Sequence, residues 1–245
     1  MSDWNALRRY TQARIGLARS GAALTTSELL SFQLAHAQAR DAVWHHWDVE
    51  ACARELERAS IPQLMAASRA TDRAIYLKRP DLGRRLAPES LSKLTAARSD
   101  PPAEVCLILS DGLSATAVQT HGIATIDAIW RALAKAGTRC SLVVLVSQAR
   151  VALSDEIGSA LGAKLAVIVL GERPGLSAAD SLGIYLTYDP KLGNSDAQRN
   201  CISNVRSPSG LPPALAAERL VSLLHRSLAL GVSGIALKDE GPQLP

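Results

Sequence analysis

The apolar run LAVIVL at 165–170 leads directly into Gly171-Glu172-Arg173-Pro174-Gly175. A buried strand would carry a carboxylate and a guanidinium to its end, on a turn that two glycines loosen and Pro174 stiffens. The loop is not a phosphate loop, because it has neither GxGxxG spacing nor a GK[ST] ending. Two readings stand: a ligand-facing turn, or a plain strand-to-helix connection with an exposed ion pair worth at most about 1 kcal/mol. SDGLSATA at 110–117 offers the same choice. Its backbone amides at a helix start could hold an anion or polar ligand, or Ser110, Asp111 and Ser114 simply cap the helix.

Other reactive side chains assemble no machine. Cys201, in RNCISNV, has no adjacent His or Asp to activate it and reads as a small buried apolar filler. His45 and His46 are neighbours in sequence, so they point to different faces and share no metal. Arg73, Lys78, Arg79, Arg84 and Arg85 form a basic cluster. It suits a phosphate, a nucleic acid, an acidic partner or a solvated face. No HExxH, DxD or paired-carboxylate signature occurs. The chain therefore predicts no catalytic residue and no metal ligand of its own. Polar loops that hold a ligand, without a set that transforms it, suit a binding subunit whose chemistry comes from elsewhere.

The elements that must place these loops follow from periodicity. Residues 1–100 read as helical. Thr25 stands three before Glu28 in a capping-box spacing, and Leu30, Leu34 and Ala37 share a face. Asp48 caps DVEACARELERAS, which aligns Val49, Cys52 and Leu56. Pro88 and Glu89 open another helix. The paired prolines of SDPPAEV mark a boundary near 100. Beyond it, apolar runs end in EVCLILSDGLS, SLVVLVSQARV, KLAVIVLGERPG and SLGIYLTYDP, with helices between them and after. One of these helices aligns Ile126, Ile129, Trp130 and Leu133, and the last aligns Leu220, Leu224 and Leu228. The expected fold is α/β: a helical N-terminal domain, 1–100, then a Rossmann-like three-layer α/β/α domain, 101–245, with a mostly parallel sheet. In such a sheet ligands sit outside the carboxyl ends of the strands, here SDGLS, SQARV and GERPG.

Bulk properties narrow the class. The 245 residues are 47% hydrophobic and only 4% aromatic, enough for a core and more helical than all-β in flavour. No run of about 18 apolar residues predicts a membrane span, and the N-terminus has no signal-peptide core. Cys52, Cys106, Cys140 and Cys201 are too widely spaced for a zinc site or a CxxC pair, so reduced thiols of a cytoplasmic protein are expected. The net charge of +4 is mild. It keeps a second reading in view, a non-enzymatic α/β nucleotide- or nucleic-acid-binding module with a basic helical arm. The missing phosphate loop and the scarcity of stacking aromatics argue against nucleic acid.

Six stretches taken in order resemble one family, the small (light) subunit of ethanolamine ammonia-lyase. They are TQARIGLARSG (11–21), HAQARDAV (36–43), YLKRPDLGRRL (76–86), SDGLSATAV (110–118), LGERPGLSAADSLGIYLTY (170–188) and RNCISNVR (199–206). Ala18 and Ser20 depart from the family's usual Gly and Ala. The resemblance implies part of an adenosylcobalamin-dependent carbon–nitrogen lyase of ethanolamine degradation, a radical enzyme giving acetaldehyde and ammonia. It implies a large-subunit partner, a TIM barrel that holds the substrate, in an assembly of six large and six small subunits. It implies cobalamin bound base-on between the two, and the absence of a DxHxxG motif agrees with this. It also implies cofactor contacts at Val151, Glu172 and Cys201: Val151 against the corrin, Glu172 accepting from corrin amides, Cys201 as a small polarizable contact. The N-terminal helices, with Arg14, His36, Arg40 and the 79–85 cluster, would meet the large subunit. Some members carry a longer N-terminal extension linked to packaging. This chain starts close to the shared body, so a bacterial microcompartment is expected less firmly than enzyme assembly.

Overall fold

The four apolar runs become strands: two are buried throughout, and the other two are buried over most of their apolar residues. The computed structural model describes residues 4–11 and 13–238. The outer ends of the expected spans, 1–3 and 239–245, and Gln12 of the first family-like stretch lie outside them.

A short helix, α1 (Trp4–Arg8), and a two-residue ladder, β1 (Arg19–Ser20) with β2 (Ala23–Leu24), precede α2 (Thr26–Trp44). Then come α3 (Val49–Arg58), β3 (Gln63–Ala67), α4 (Arg73–Lys78) and α5 (Pro88–Ala96). β4 (Val105–Ser110) leads into α6 (Ala115–Ala117), a π-helical turn at Val118–Gly122, and α7 (Ile123–Lys135). β5 (Cys140–Ser147), α8 (Leu153–Leu161), β6 (Leu165–Gly171), β7 (Leu182–Tyr188), β8 (Arg199–Val205) and α9 (Pro213–Leu230) complete the fold. The caps are those the sequence predicts: Thr25 accepts from the Glu28 N–H, and Asp48 from the Ala51 N–H.

One six-stranded sheet runs in the order β3-β5-β4-β6-β7-β8. The first four strands are parallel, and β7 and β8 add on antiparallel, so the sheet is mostly parallel as expected. On one face, Val105, Leu107, Leu109, Val167 and Ile184 pack against α3, α7 and α9. On the other, Cys106, Ile108, Val144 and Ile168 pack against Leu94 of α5 and Leu153, Ile157 and Leu161 of α8.

The helical reading of 1–100 needs correction at β3. QLMAA pairs parallel with β5, from Gln63↔Val143 to Ala67↔Ser147, and so joins the sheet across the expected boundary. It is a half-exposed edge strand without a β-branched residue, and its Leu, Met and Ala are helix formers by intrinsic preference. α2 also differs from expectation. Its Leu30 and Leu34 are 58% and 60% exposed, and only Ala42 is buried. The apolar positions of this helix face away from the chain's own core.

Candidate functional site

The loop after β5 carries Val151, and most of what holds it comes from the basic stretch upstream. Gln148 takes a left-handed φ of 60°, and its N–H donates to Asp111 Oδ1 at 2.7 Å. The Ala149 N–H donates to Ser110 Oγ at 3.2 Å. Arg73 ties the same corner from the other side, donating from Nη1 to Asp111 Oδ2 at 3.2 Å and to the Gly112 carbonyl at 2.7 Å. Two guanidiniums lie over the buried Tyr76 ring, Arg73 at 5.0 Å and Arg150 at 4.3 Å from its centroid. Its hydroxyl donates to the Ala149 carbonyl, and the Arg150 N–H donates to the Gly83 carbonyl. Burial pushes the Tyr76 hydroxyl up to about 12. Burial also pushes Asp111 upward, although the neighbouring Arg73 charge opposes it. Part of the basic cluster is therefore an internal brace. Only its outer members face solvent, as with Arg79, which pairs with Asp81.

Beyond α8 the same face of the sheet lies open. Tyr185 of β7 stands beside Cys201 of β8 in register. Tyr185 is half-buried and Cys201 exposed, which corrects the reading of Cys201 as a buried filler. β8 is the edge strand, and the described residues leave Cys201 on it exposed. Val151, Tyr185 and Cys201 line one cavity of about 340 Å³, together with Arg84, Arg150, Ala152, Asp196 and Arg199. Its floor is braced by a buried fork: Arg199 donates to both oxygens of Asp155, at 2.9 and 2.7 Å.

Glu172 stands on the neighbouring part of this face. A Cβ on Gly183 would lie 3.2 Å from Glu172 Oε1 and 3.0 Å from the Tyr185 ring, so the glycine leaves room for both. The carboxylate does not pair with Arg173, which is exposed. It accepts instead from the Ser181 hydroxyl at 2.6 Å and from the Asn204 N–H at 3.2 Å. Gly171 has a different task from the one its loop suggested. A Cβ there would come within 2.7 Å of the Asp111 carbonyl, and the Leu113 N–H donates to Gly171 itself at 2.8 Å. Gly171 thus seats two strand-end loops against each other rather than making space for a ligand.

A larger crevice, about 1140 Å³, opens at the carboxyl ends of β3, β4 and β5, between Trp44–Glu50 and Ala67–Arg73. It is where a doubly wound sheet usually binds ligands. Its inner wall is already committed: Asp111 and Gln148 are bonded to each other and to Arg73. The smaller cavity offers apolar side chains from Val151, Ala152 and Tyr185 beside Arg84 and Arg150, which have no acid partner among the described residues, so it is the better candidate for a ligand.

The family model for ethanolamine ammonia-lyase light chain (EutC) matches residues 1–238. The chain is 48% identical over 241 residues to the ethanolamine ammonia-lyase small subunit of Azotobacter vinelandii, covering 98% of this chain and 89% of that one. It is equally similar, 48%, to the small subunits of Pseudomonas fluorescens and Pseudomonas syringae pv. tomato, covering 88% and 84% of those chains. The chain belongs to the ethanolamine ammonia-lyase light-chain family.

Its relatives are subunits of a lyase, and the light chain forms part of such an enzyme. Among the positions singled out in the sequence, the light-chain fold brings Val151 and Cys201 to one cavity and sets Glu172 beside it on the same sheet face. Residue-by-residue reading did not reach Tyr185, Gly183, Arg84 or Arg150 as neighbours of that site. A signal was present for Tyr185: it is the one aromatic on the odd-numbered side of SLGIYLT, where its neighbours are Gly183 and Thr187. No described residues of the light chain form a group of three or more metal-ligating side chains. Among them no helix is long and apolar enough to cross a membrane.

Proposed function

We propose that this chain is the cobalamin-facing small subunit of an adenosylcobalamin-dependent ethanolamine ammonia-lyase, closing over the cofactor opposite the large subunit that holds the substrate. The observation that carries the reading is the convergence of Val151, Cys201 and Glu172, far apart in sequence, on one open sheet face. The residues fit the group. A corrin is a wide apolar disc rimmed with amides, and this face offers an apolar surface from Val151 and Tyr185. Glu172 supplies a carboxylate acceptor at its edge. A cavity of about 340 Å³ is near the low end of the roughly 300–1,000 Å³ typical of small-molecule pockets. A macrocycle would rest on it rather than enter it, so its other face needs a second protein surface. When bound, adenosylcobalamin supplies the radical chemistry, and this chain's residues orient it and limit solvent access.

The large subunit would also meet the N-terminal arm. α2 presents Leu29, Leu30, Phe32, Leu34 and Trp44 to solvent, an apolar surface that the described residues leave uncovered. Assembly as six large and six small subunits, and packaging in a microcompartment, are part of the same proposal by family membership.

The test is co-expression with the cognate large subunit, and assay of acetaldehyde release with adenosylcobalamin. Activity should require both chains. Equal activity of the large subunit alone overturns the reading. Deletion of residues 1–45 should abolish co-elution on a sizing column, and an intact complex without them removes the arm from the interface.

A further inference from the structure

We infer that Arg84 and Arg150 form an anion subsite at the rim of this cavity, and that it takes the phosphodiester of the cobalamin nucleotide loop. The inference rests on the cobalamin reading above and names residues and a ligand group that the reading does not.

The charges around the cavity are unevenly matched. Arg199 is held by Asp155 and also reaches Asp196, at 3.4 Å. Arg85, just behind the rim, turns to the buried Glu156 at 3.5 Å. Arg84 and Arg150 both line the cavity and have no carboxylate partner among the described residues. Arg84 is exposed. Arg150 is fixed: its guanidinium stacks on Tyr76 at 4.3 Å, and Nη2 donates to the Tyr76 carbonyl at 3.3 Å. Its Nε is buried with no hydrogen-bond acceptor. A buried donor left unmatched is costly, so an acceptor at this guanidinium is favoured.

The ligand chemistry follows from what cobalamin carries. Its corrin periphery is made of neutral amides, and its nucleotide loop holds one phosphodiester, a single negative charge. Two guanidiniums on a rim are suited to phosphate oxygens by shape as well as charge. Glu172, the acceptor for amide N–H groups, lies off this rim, beyond Tyr185. The face is thus divided into an acceptor side for the corrin edge and a cationic side for the nucleotide loop.

The experiment uses the complex with the large subunit and measures equilibrium binding of two probes, cyanocobalamin and cyanocobinamide, the second lacking the nucleotide and its phosphate. Arg84→Glu and Arg150→Gln should each weaken cyanocobalamin at least tenfold and leave cyanocobinamide within about twofold. Arg84→Lys should restore most of the affinity, and higher salt should shrink the difference between wild type and R84E. Thermal unfolding of each variant separates loss of the site from loss of the fold, and the exposed Arg84 keeps the test independent of the packing role of Arg150. Equal weakening of both probes, or unchanged cyanocobalamin binding, overturns the subsite. Failure of the cobalamin reading looks different: Val151→Glu would then leave both probes unchanged.

Discussion

Asn204 donates its backbone N–H to the Glu172 carboxylate at 3.2 Å, from a left-handed φ of 58°. The two residues lie 32 positions apart. They meet because β8 slips register against β7 between Ile184↔Ile202 and Leu182↔Val205, which inserts an extra residue at Ser203–Asn204. The bulge turns an N–H that would otherwise face outward toward the end of β6. Asn tolerates this backbone region better than a branched residue does.

The first prediction concerns the pair. Glu172→Gln keeps the shape and removes the charge, so cyanocobalamin binding to the complex should weaken about tenfold, on the order of 1.4 kcal/mol, with co-elution of the subunits unchanged. Asn204→Gly should be tolerated. Asn204→Val should cost about 1–3 kcal/mol in urea unfolding because a β-branched residue is strained at this φ. Unaltered cobalamin binding by E172Q would take the carboxylate off the contact surface.

The buried fork between Arg199 and Asp155 sets the second prediction. Both side chains are 3% exposed. Asp155→Ala strands a guanidinium with only the exposed Asp196, the Thr187 hydroxyl and the Asn194 carbonyl for company. The expected loss is about 3–5 kcal/mol, read as a lower unfolding midpoint in denaturant. Replacing both residues by apolar ones of similar volume should recover much of it. A single variant as stable as wild type would show that the pair is dispensable.

Cys201 yields a third. Cys52 and Cys106 are buried and Cys140 is half-buried, whereas Cys201 is exposed. Its thiol is nonetheless raised above the ordinary value, first by the shelter of its surroundings and further by the Glu172 charge, with the Tyr185 hydrogen bond pulling the other way. Iodoacetamide at pH 7.5 should therefore modify Cys201 before the other three, slowly, and faster as pH rises. Saturating cyanocobalamin in the complex should protect it. Undiminished labelling with corrinoid bound would place the cofactor elsewhere.

The fourth is a pH dependence. Burial raises Asp180, but hydrogen bonds and charge from Arg206 and His121 outweigh it and hold the carboxyl below its usual value. A depressed folded-state pKa stabilises above the unfolded value, near pH 4, and that stability is lost as pH falls through the folded pKa. Asp180→Asn should accordingly be less stable than wild type at pH 6–7, with the gap closing below about pH 4. A gap that stays constant down to pH 3 would mean that the ionised carboxylate contributes nothing.

Local chemistry accounts for much of the fold. β4, β5 and β6 are legible because each contains an unbroken apolar run of five or more residues, fully buried in β4 and β6 and buried over 143–146 in β5. α9 is legible from Leu220 and Leu224 at helical spacing, and both are buried. The edges were harder to read. β3 is built from helix formers, and β8 from Arg, Asn, Cys and Ser, because an edge strand open on one side need not be apolar. α2 carries Leu at helical positions that in most proteins would mark a core face, and here they are exposed. Periodicity reports an apolar stripe but not what covers it.

By itself the sequence determined the α/β class, the central strands, the helix caps and the family, because each depends on neighbours within a few positions or on ordered motifs along the chain. Only the tertiary structure decided that Arg73 and Arg150 lie over the Tyr76 ring, that Gly171 faces the Asp111 carbonyl, and that Glu172 answers to Ser181 and Asn204 instead of the adjacent Arg173. Those partners lie on different strands and loops. A side chain bonds to whatever the sheet order and register bring within about 3 Å, and neither is written in the spacing of residues along one strand.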